Sequence, residues 1–232
     1  MMQNTPHPRL KLIFKKNSFE REFWASGKLI CGIDEVGRGC LAGPLVTAAC
    51  LLFPGRNSRL LKDSKIMTEA ERLKAYVWLM KNSWHGVGIV HHRIIDKYNI
   101  WHATLLAMKR ALLHALSACP TPPEIILVDA MPLELSDTSY MGIPVRHFYK
   151  GESKSSSIAA ASIIAKVTRD AMMTRLDRVF PGYHLAQHKG YSTQLHQMAV
   201  RELKPTIIHR THFLGFLDTE EEDNGPKQQS LC

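Results

Sequence analysis

Asp34 and Glu35 close an apolar run that begins at Leu29, and a glycine-rich loop with Gly37, Gly39 and Gly43 follows them. A carboxylate at the end of a buried strand is costly unless something compensates it. A metal ion is one compensation; an ion pair or an exposed strand end is another. On these two residues alone the plainer readings are preferred. Asp129 adds another acid at the end of an apolar run, Ile125 to Val128, and Glu152 follows the next strand, Val145 to Tyr149. Clustered carboxylates repel one another, and hard divalent cations with oxygen-only ligands relieve that repulsion, which points to Mg2+ or Mn2+. Neighbours on a strand face opposite ways. Asp34 and Glu35 therefore reach one site only if the backbone turns at Glu35, as Gly37 would permit.

The rest of the chain carries the opposite charge. Lys and Arg number 30 against 21 Asp and Glu. Five of those acids and one base lie after Leu217, which leaves 29 bases against 16 acids, a body near +13. A basic body suits a polyanion, either nucleic acid or an anionic membrane surface. Acids that hold metal inside a positive surface are what phosphodiester hydrolysis requires. Met1 to Lys16 has no long apolar segment, so no secretory signal is expected, and no run approaches a membrane span. Five cysteines without C-x-x-C spacing read as free thiols, which suits a cytoplasmic protein.

Periodicity supplies the elements that must position these groups. Leu29–Asp34 and Leu45–Phe53 read as strands of an antiparallel hairpin. Thr68-Glu69-Ala70-Glu71 is a capping-box pattern ahead of an amphipathic helix. Val87–Val90, Ile125–Val128 and Val145–Tyr149 are further strands. Helices are expected around Trp101–Leu112, over Ser155–Val179, and over Ser192–Leu203. The order implies an α/β fold, a mixed sheet flanked by helices. Residues 1–28 read as a basic extension, 29–217 as the catalytic domain with its C-terminal helices, and 218–232 as an acidic, disordered tail.

Four blocks in order resemble the ribonuclease HII family. They are Gly32-Ile33-Asp34-Glu35-Val36-Gly37-Arg38-Gly39 with Leu41-Ala42-Gly43-Pro44, then Asp63-Ser64-Lys65, then Ala160 to Asp170, then His188-Lys189-Gly190-Tyr191-Ser192-Thr193. The resemblance implies a ribonuclease H-like fold with a helical C-terminal region. It implies an endonuclease that cuts RNA–DNA hybrids and duplex DNA containing single ribonucleotides by a two-metal mechanism. It places the metal ligands on Asp34, Glu35, Asp129 and Glu152, and the contact to the 2′-hydroxyl on Gly37, Arg38 and Gly39. Tyr191 would stack on the following sugar. Lys65 and Lys166 are candidate phosphate contacts, although a solvated lysine is the plainer reading of each. Three positions depart from the family pattern: Cys40 stands for Pro, Ala130 for Gly, and Glu152 for Asp.

Two other classes fit the residues less well. A binding module without chemistry needs no acid cluster. An integrase-like or resolvase-like enzyme needs neither the Gly37-Arg38-Gly39 block nor Tyr191. The sister family, ribonuclease HIII, usually has Thr where Arg38 stands. His91, His92, His209 and His212 lack metal-site spacing and read as surface or supporting histidines. Asp170 and Asp177 read as partners of nearby arginines.

Overall fold

The computed structural model describes residues 16–17 and 20–220. Five strands form one mixed sheet: β1 (Ile30–Val36), β2 (Leu45–Leu52), β3 (Ser83–Val90), β4 (Ile125–Asp129) and β5 (Val145–Phe148), in the order β3-β2-β1-β4-β5. β1 pairs antiparallel with β2, and β2 with β3, while β1–β4 and β4–β5 are parallel. Parallel neighbours need a crossover. The crossover from the first three strands to β4 runs through α3 (His92–Ala118).

Side-chain parity assigns the two faces of the sheet. Cys31 and Ile33 of β1 and Ile126 and Val128 of β4 pack under Met108, Ala111 and Leu112 of α3. Ile30 and Leu127 lie on the other face, against Ile158 of α5 (Ser156–Val179). Val46, Ala48 and Cys50 share that face with α2 (Glu69–Asn82) and the alanine-rich start of α5. Gly32 makes the approach of α5 possible. A Cβ there would stand 2.1 Å from the carbonyl carbon of Ser157, so a larger residue would push α5 off the sheet.

Local signals behave as their chemistry demands. Thr68 and Glu71 form the reciprocal capping box at the start of α2. α3 begins nine residues ahead of the expected Trp101, because two helical segments join at Asn99, which has φ 64°. Its side chain accepts from the N–H groups of Trp101 and His102, so the segment read from periodicity is the capped second half. A separate turn, α4 (Gly151–Lys154), precedes α5. Two short helices, α6 (Leu185–His188) and α7 (Gln194–Leu203), close the fold over a small core containing Ala42, Met173 and Val200.

The packed body starts before residue 29. α1 (Arg21–Ala25) follows Glu20, which is buried and accepts from Ser155 Oγ and, at 3.1 Å, from Ser157 N. Asn17 Oδ1 accepts from Ser156 N at 2.9 Å. These bonds tie the segment to the first turn of α5, whose N–H groups lack partners within the helix. Residues 1–15 of the basic extension, and 221–232 of the acidic tail, lie outside the described residues.

Candidate active site

The register of the sheet brings the first two acids together. Ile33 stands beside Val128 in the parallel β1–β4 pair. The next residues, Asp34 and Asp129, therefore come level at the ends of adjacent strands, on the α5 face. β5 ends beside them with Phe148 opposite Asp129. The chain then turns through Lys150, at φ 58°, into α4, which carries Glu152 inward. Carboxylate oxygens of Asp34, Asp129 and Glu152 all lie within 4.8 Å of one another. This is the convergence that sequence spacing alone could not establish.

Each acid is held by a backbone donor. Asp34 Oδ1 accepts from Glu35 N, Asp129 Oδ1 from Gly151 N and Glu152 Oε2 from Ser64 N, each at 2.8 Å. Lys65 Nζ adds a contact of 3.1 Å to Glu152 Oε1. Burial, and then the charges of Glu35, Glu152 and Asp129, raise the Asp34 carboxyl well above the ordinary range. Burial also raises Glu152, against the opposing pull of Ser64 and Lys65. Two buried carboxylates that resist ionising, Asp34 and Glu152, with the half-buried Asp129 beside them, make an oxygen-only donor set that fits a hard divalent cation.

Glu35 does not join them. β1 continues through Val36, paired with Val46 of β2, so the backbone does not turn at Glu35. Parity points its side chain to the α3 face. There Oε1 lies 3.5 Å from Arg38 Nη1, and Oε2 is buried without a hydrogen-bond partner. Burial lifts this carboxyl to about 7, although Arg38 opposes the shift.

A cleft of about 560 Å³ opens at Asp34, lined by Glu35, Gly37, Arg38, Gly39, Lys65, Arg72, Lys166 and Tyr191 among others. The turn comes at Gly37, with φ +93°, where a Cβ would also meet the Arg169 guanidinium at 2.2 Å. Lys166 is paired with Asp170 at 2.9 Å and sits 5.5 Å above the Tyr191 ring. Asp170 therefore takes a lysine one turn away, not an arginine. Ala130 adopts φ 55°, the left-handed conformation that suits glycine.

Two arginines to which the motifs assign no role organise the rim. Arg169 is fully buried and donates to the carbonyls of Pro44, Lys189 and Ala42 at 2.9, 2.7 and 3.1 Å. Arg210 is equally buried and donates to the carbonyls of Arg38 and Gly43. Together they clamp the 37–44 loop to the turn that carries Tyr191. Cys40 forms an isolated antiparallel bridge with Tyr191 in the same seam. The one signal available was a guanidinium placed among small and apolar helix residues at Arg169. His209 is buried as well, rather than at the surface.

A mixed sheet with helices on both faces, strand-end carboxylates and a basic cleft defines a ribonuclease H-like hydrolase. The ribonuclease HII family profile matches residues 31–215. Ribonuclease HII of Geobacter sulfurreducens is 44% identical over 192 residues, covering 81% of this chain and 83% of that protein. The enzyme of Lactobacillus delbrueckii subsp. bulgaricus is 42% identical over 197 residues, 84% and 73% of the two chains. Among solved structures, ribonuclease HII of Archaeoglobus fulgidus, determined as a complex with PCNA, is 27% identical with a TM-score of 0.65, covering 79% of this chain and 94% of that one. Ribonuclease H2 of Pyrococcus horikoshii, at 24% identity and TM-score 0.69 over 84% and 100% of the chains, shares the fold. The chain belongs to the ribonuclease HII family. It is an endoribonuclease. No helix among the described residues is long and apolar enough to cross a membrane.

Proposed function

We propose that the protein cuts the RNA strand of RNA–DNA hybrids, and cuts duplex DNA on the 5′ side of a single embedded ribonucleotide. The observation that carries this reading is one cleft lined by the Gly37-Arg38-Gly39 loop, Tyr191 and the carboxylate Asp34. Asp34, Asp129 and Glu152 would hold the metal, Mg2+ or Mn2+, and Glu35 would join a two-ion set only by leaving Arg38 on the α3 side. Bound there, a divalent metal would supply Lewis-acid chemistry at the phosphate.

The chain's own residues select and orient the strand. A 2′-hydroxyl is the group that distinguishes RNA from DNA, and the glycine backbone at 37 and 39 lets main-chain groups approach it closely. Held there, the 2′-hydroxyl is a recognised group and not a nucleophile. Tyr191 presents its ring to the sugar that follows. Arg38, Lys65 and Lys166 face the phosphates, which adds affinity without sequence preference. Binding therefore weakens as salt rises. The cytoplasm suits this substrate and the free thiols of Cys31, Cys40, Cys50 and Cys119.

The test is a DNA duplex with one ribonucleotide, incubated with Mg2+ or Mn2+, with both ends of the cut mapped. The expected products are an upstream 3′-hydroxyl and a ribonucleotide bearing a 5′-phosphate. A 2′,3′-cyclic phosphate would overturn the mechanism. Cleavage of hybrids but not of the lone ribonucleotide would remove the finer substrate assignment.

A further inference from the structure

Behind Tyr191 lies a group of three buried histidines that the cleavage chemistry does not use: His188, His196 and His209. Their hydrogen bonds determine where each proton sits. Thr206 N–H points at His209 Nδ1 from 3.0 Å, so that nitrogen accepts. A neutral His209 then carries its proton on Nε2. At the other end, His196 Nδ1 lies 3.0 Å from the Tyr191 carbonyl, which only accepts, so Nδ1 carries the proton and Nε2 is a lone pair. The two assignments come from opposite ends and meet at a single contact, His209 Nε2 to His196 Nε2, at 3.2 Å. One nitrogen donates and the other accepts, as that contact needs. His188 is set independently: it accepts from Gly190 N at 3.1 Å and donates to Tyr183 O at 2.7 Å, and it stacks on His196 at 4.2 Å.

We propose that His196 and His209 are positioning residues, forming a directed relay from Thr206 N–H through both rings to the Tyr191 carbonyl that holds Tyr191 in the cleft. The relay ends on the Tyr191 carbonyl, and the 37–44 loop grips the preceding peptide through the Cys40–Tyr191 bridge and the bond from Leu41 N to Gly190 O. It starts in the segment that also supplies Arg210, which holds the Arg38 carbonyl. Residues 206–210 thereby brace both walls of the cleft, the loop that meets the 2′-hydroxyl and the tyrosine that meets the next sugar. Burial, with the like charges of the neighbouring histidines, keeps both rings neutral, at about 4 for each. The functional part of the proposal rests on Tyr191 touching substrate; the relay itself does not.

Nitrogen NMR of the imidazoles in the intact wild-type protein tests the relay without any substrate. The expected result is a proton on Nδ1 of His196 and on Nε2 of His209; a His196 protonated on Nε2 overturns it. Kinetics test what the relay does. The amide of Asn sits near the place of imidazole Nδ1, whereas the longer Gln places its amide near Nε2. His196→Gln should therefore lose the bond to Tyr191 O and lower kcat/KM on the single-ribonucleotide duplex by about tenfold, the scale of one lost buried hydrogen bond. His196→Asn should recover most of that loss. The rise in Tm produced by Mn2+ should be the same in both variants and the wild type. In a Tyr191→Ala background, His196→Gln should add less than about twofold, because the carbonyl remains but the ring that the relay positions has gone. An equal loss in both backgrounds overturns the positioning role. A Tyr191→Ala enzyme of normal rate removes the substrate role of Tyr191 and the function of the relay with it, while the proton positions still decide whether the relay exists.

Discussion

Arg38 Nη1 stands 3.5 Å from Glu35 Oε1, on the side of the sheet opposite the cluster that Asp34 forms with Asp129 and Glu152. The consequence is a competition between the arginine and a metal ion for the same carboxylate. Arg38→Ala should leave Mn2+ binding intact or tighten it, by about threefold, the scale of a half-exposed ion pair. Cleavage should nevertheless fall, since Arg38 faces the substrate. Calorimetric titration with Mn2+ separates the two effects; a variant with tenfold weaker metal binding would show that Arg38 helps to assemble the site.

Asp34 is stabilised in its neutral form by burial and by the surrounding acids. Its folded pKa is raised above the unfolded value, so above the unfolded pKa the group opposes folding of the metal-free protein. Asp34→Asn keeps an acceptor for Glu35 N and removes that charge. Metal-free Tm should rise, by about 1–2 kcal/mol of stability or several degrees, while cleavage is abolished. Mn2+ should raise the Tm of the wild type and leave the variant nearly unmoved. A metal-free variant less stable than the wild type would contradict the electrostatic account of the site.

Ala130 sits at φ 55°, immediately after Asp129, with its N–H bonded to Phe148 O at 2.9 Å. The left-handed conformation costs a non-glycine residue about 1–2 kcal/mol, and glycine returns part of that gain through the entropy of the unfolded chain. Ala130→Gly should stabilise the protein by about 0.5–1 kcal/mol, roughly 1–4 °C in Tm. Scanning calorimetry decides it, and an unchanged or lowered Tm would show that the turn carries no strain.

His196 and His209 are each held at about 4, chiefly by burial, and the facing His188 adds repulsion to both and His92 to His209. Below the unfolded value of 6.5 the unfolded chain binds protons that the folded rings refuse. Their contribution is therefore complete above pH 6.5 and is lost as pH falls toward 4. The raised carboxylates of Asp34, Glu35 and Glu152 work in the opposite direction, so the effect is read as a difference between proteins. The stability advantage of the wild type over His196→Asn should shrink by about 2–3 kcal/mol between pH 7.5 and 4.5. A difference that does not change with pH would mean that His196 is charged in the fold.

Much of the fold was legible because its signals are local. Apolar runs bounded by glycine and proline marked β1 and β2, the Thr68–Glu71 pair marked the start of α2, and small residues at Ala159 to Ala161 marked a helix that packs closely on the sheet. Parity along a strand also pointed Asp34 and Glu35 to opposite faces. The expected turn at Glu35 does not occur because pairing with β2 persists to Val36. α1 carried no comparable signal: its five residues contain no buried side chain, and Glu20 and Asn17 hold this end of the chain to α5.

The types of residue needed for the chemistry, their order along the chain and the motifs around them were present in the sequence by itself. So was the excess of basic charge that suits a nucleic acid. Only the tertiary structure decided which acids meet. Asp34 and Asp129 come level through the register of two parallel strands far apart in sequence, and Glu152 joins them through a left-handed turn at Lys150. The same holds for the carbonyls that Arg169 and Arg210 bind and for the protons of the histidine relay. Periodicity specifies which way a side chain faces relative to its own backbone. It carries no information on what lies opposite, because that depends on long-range register and on the burial that follows from it.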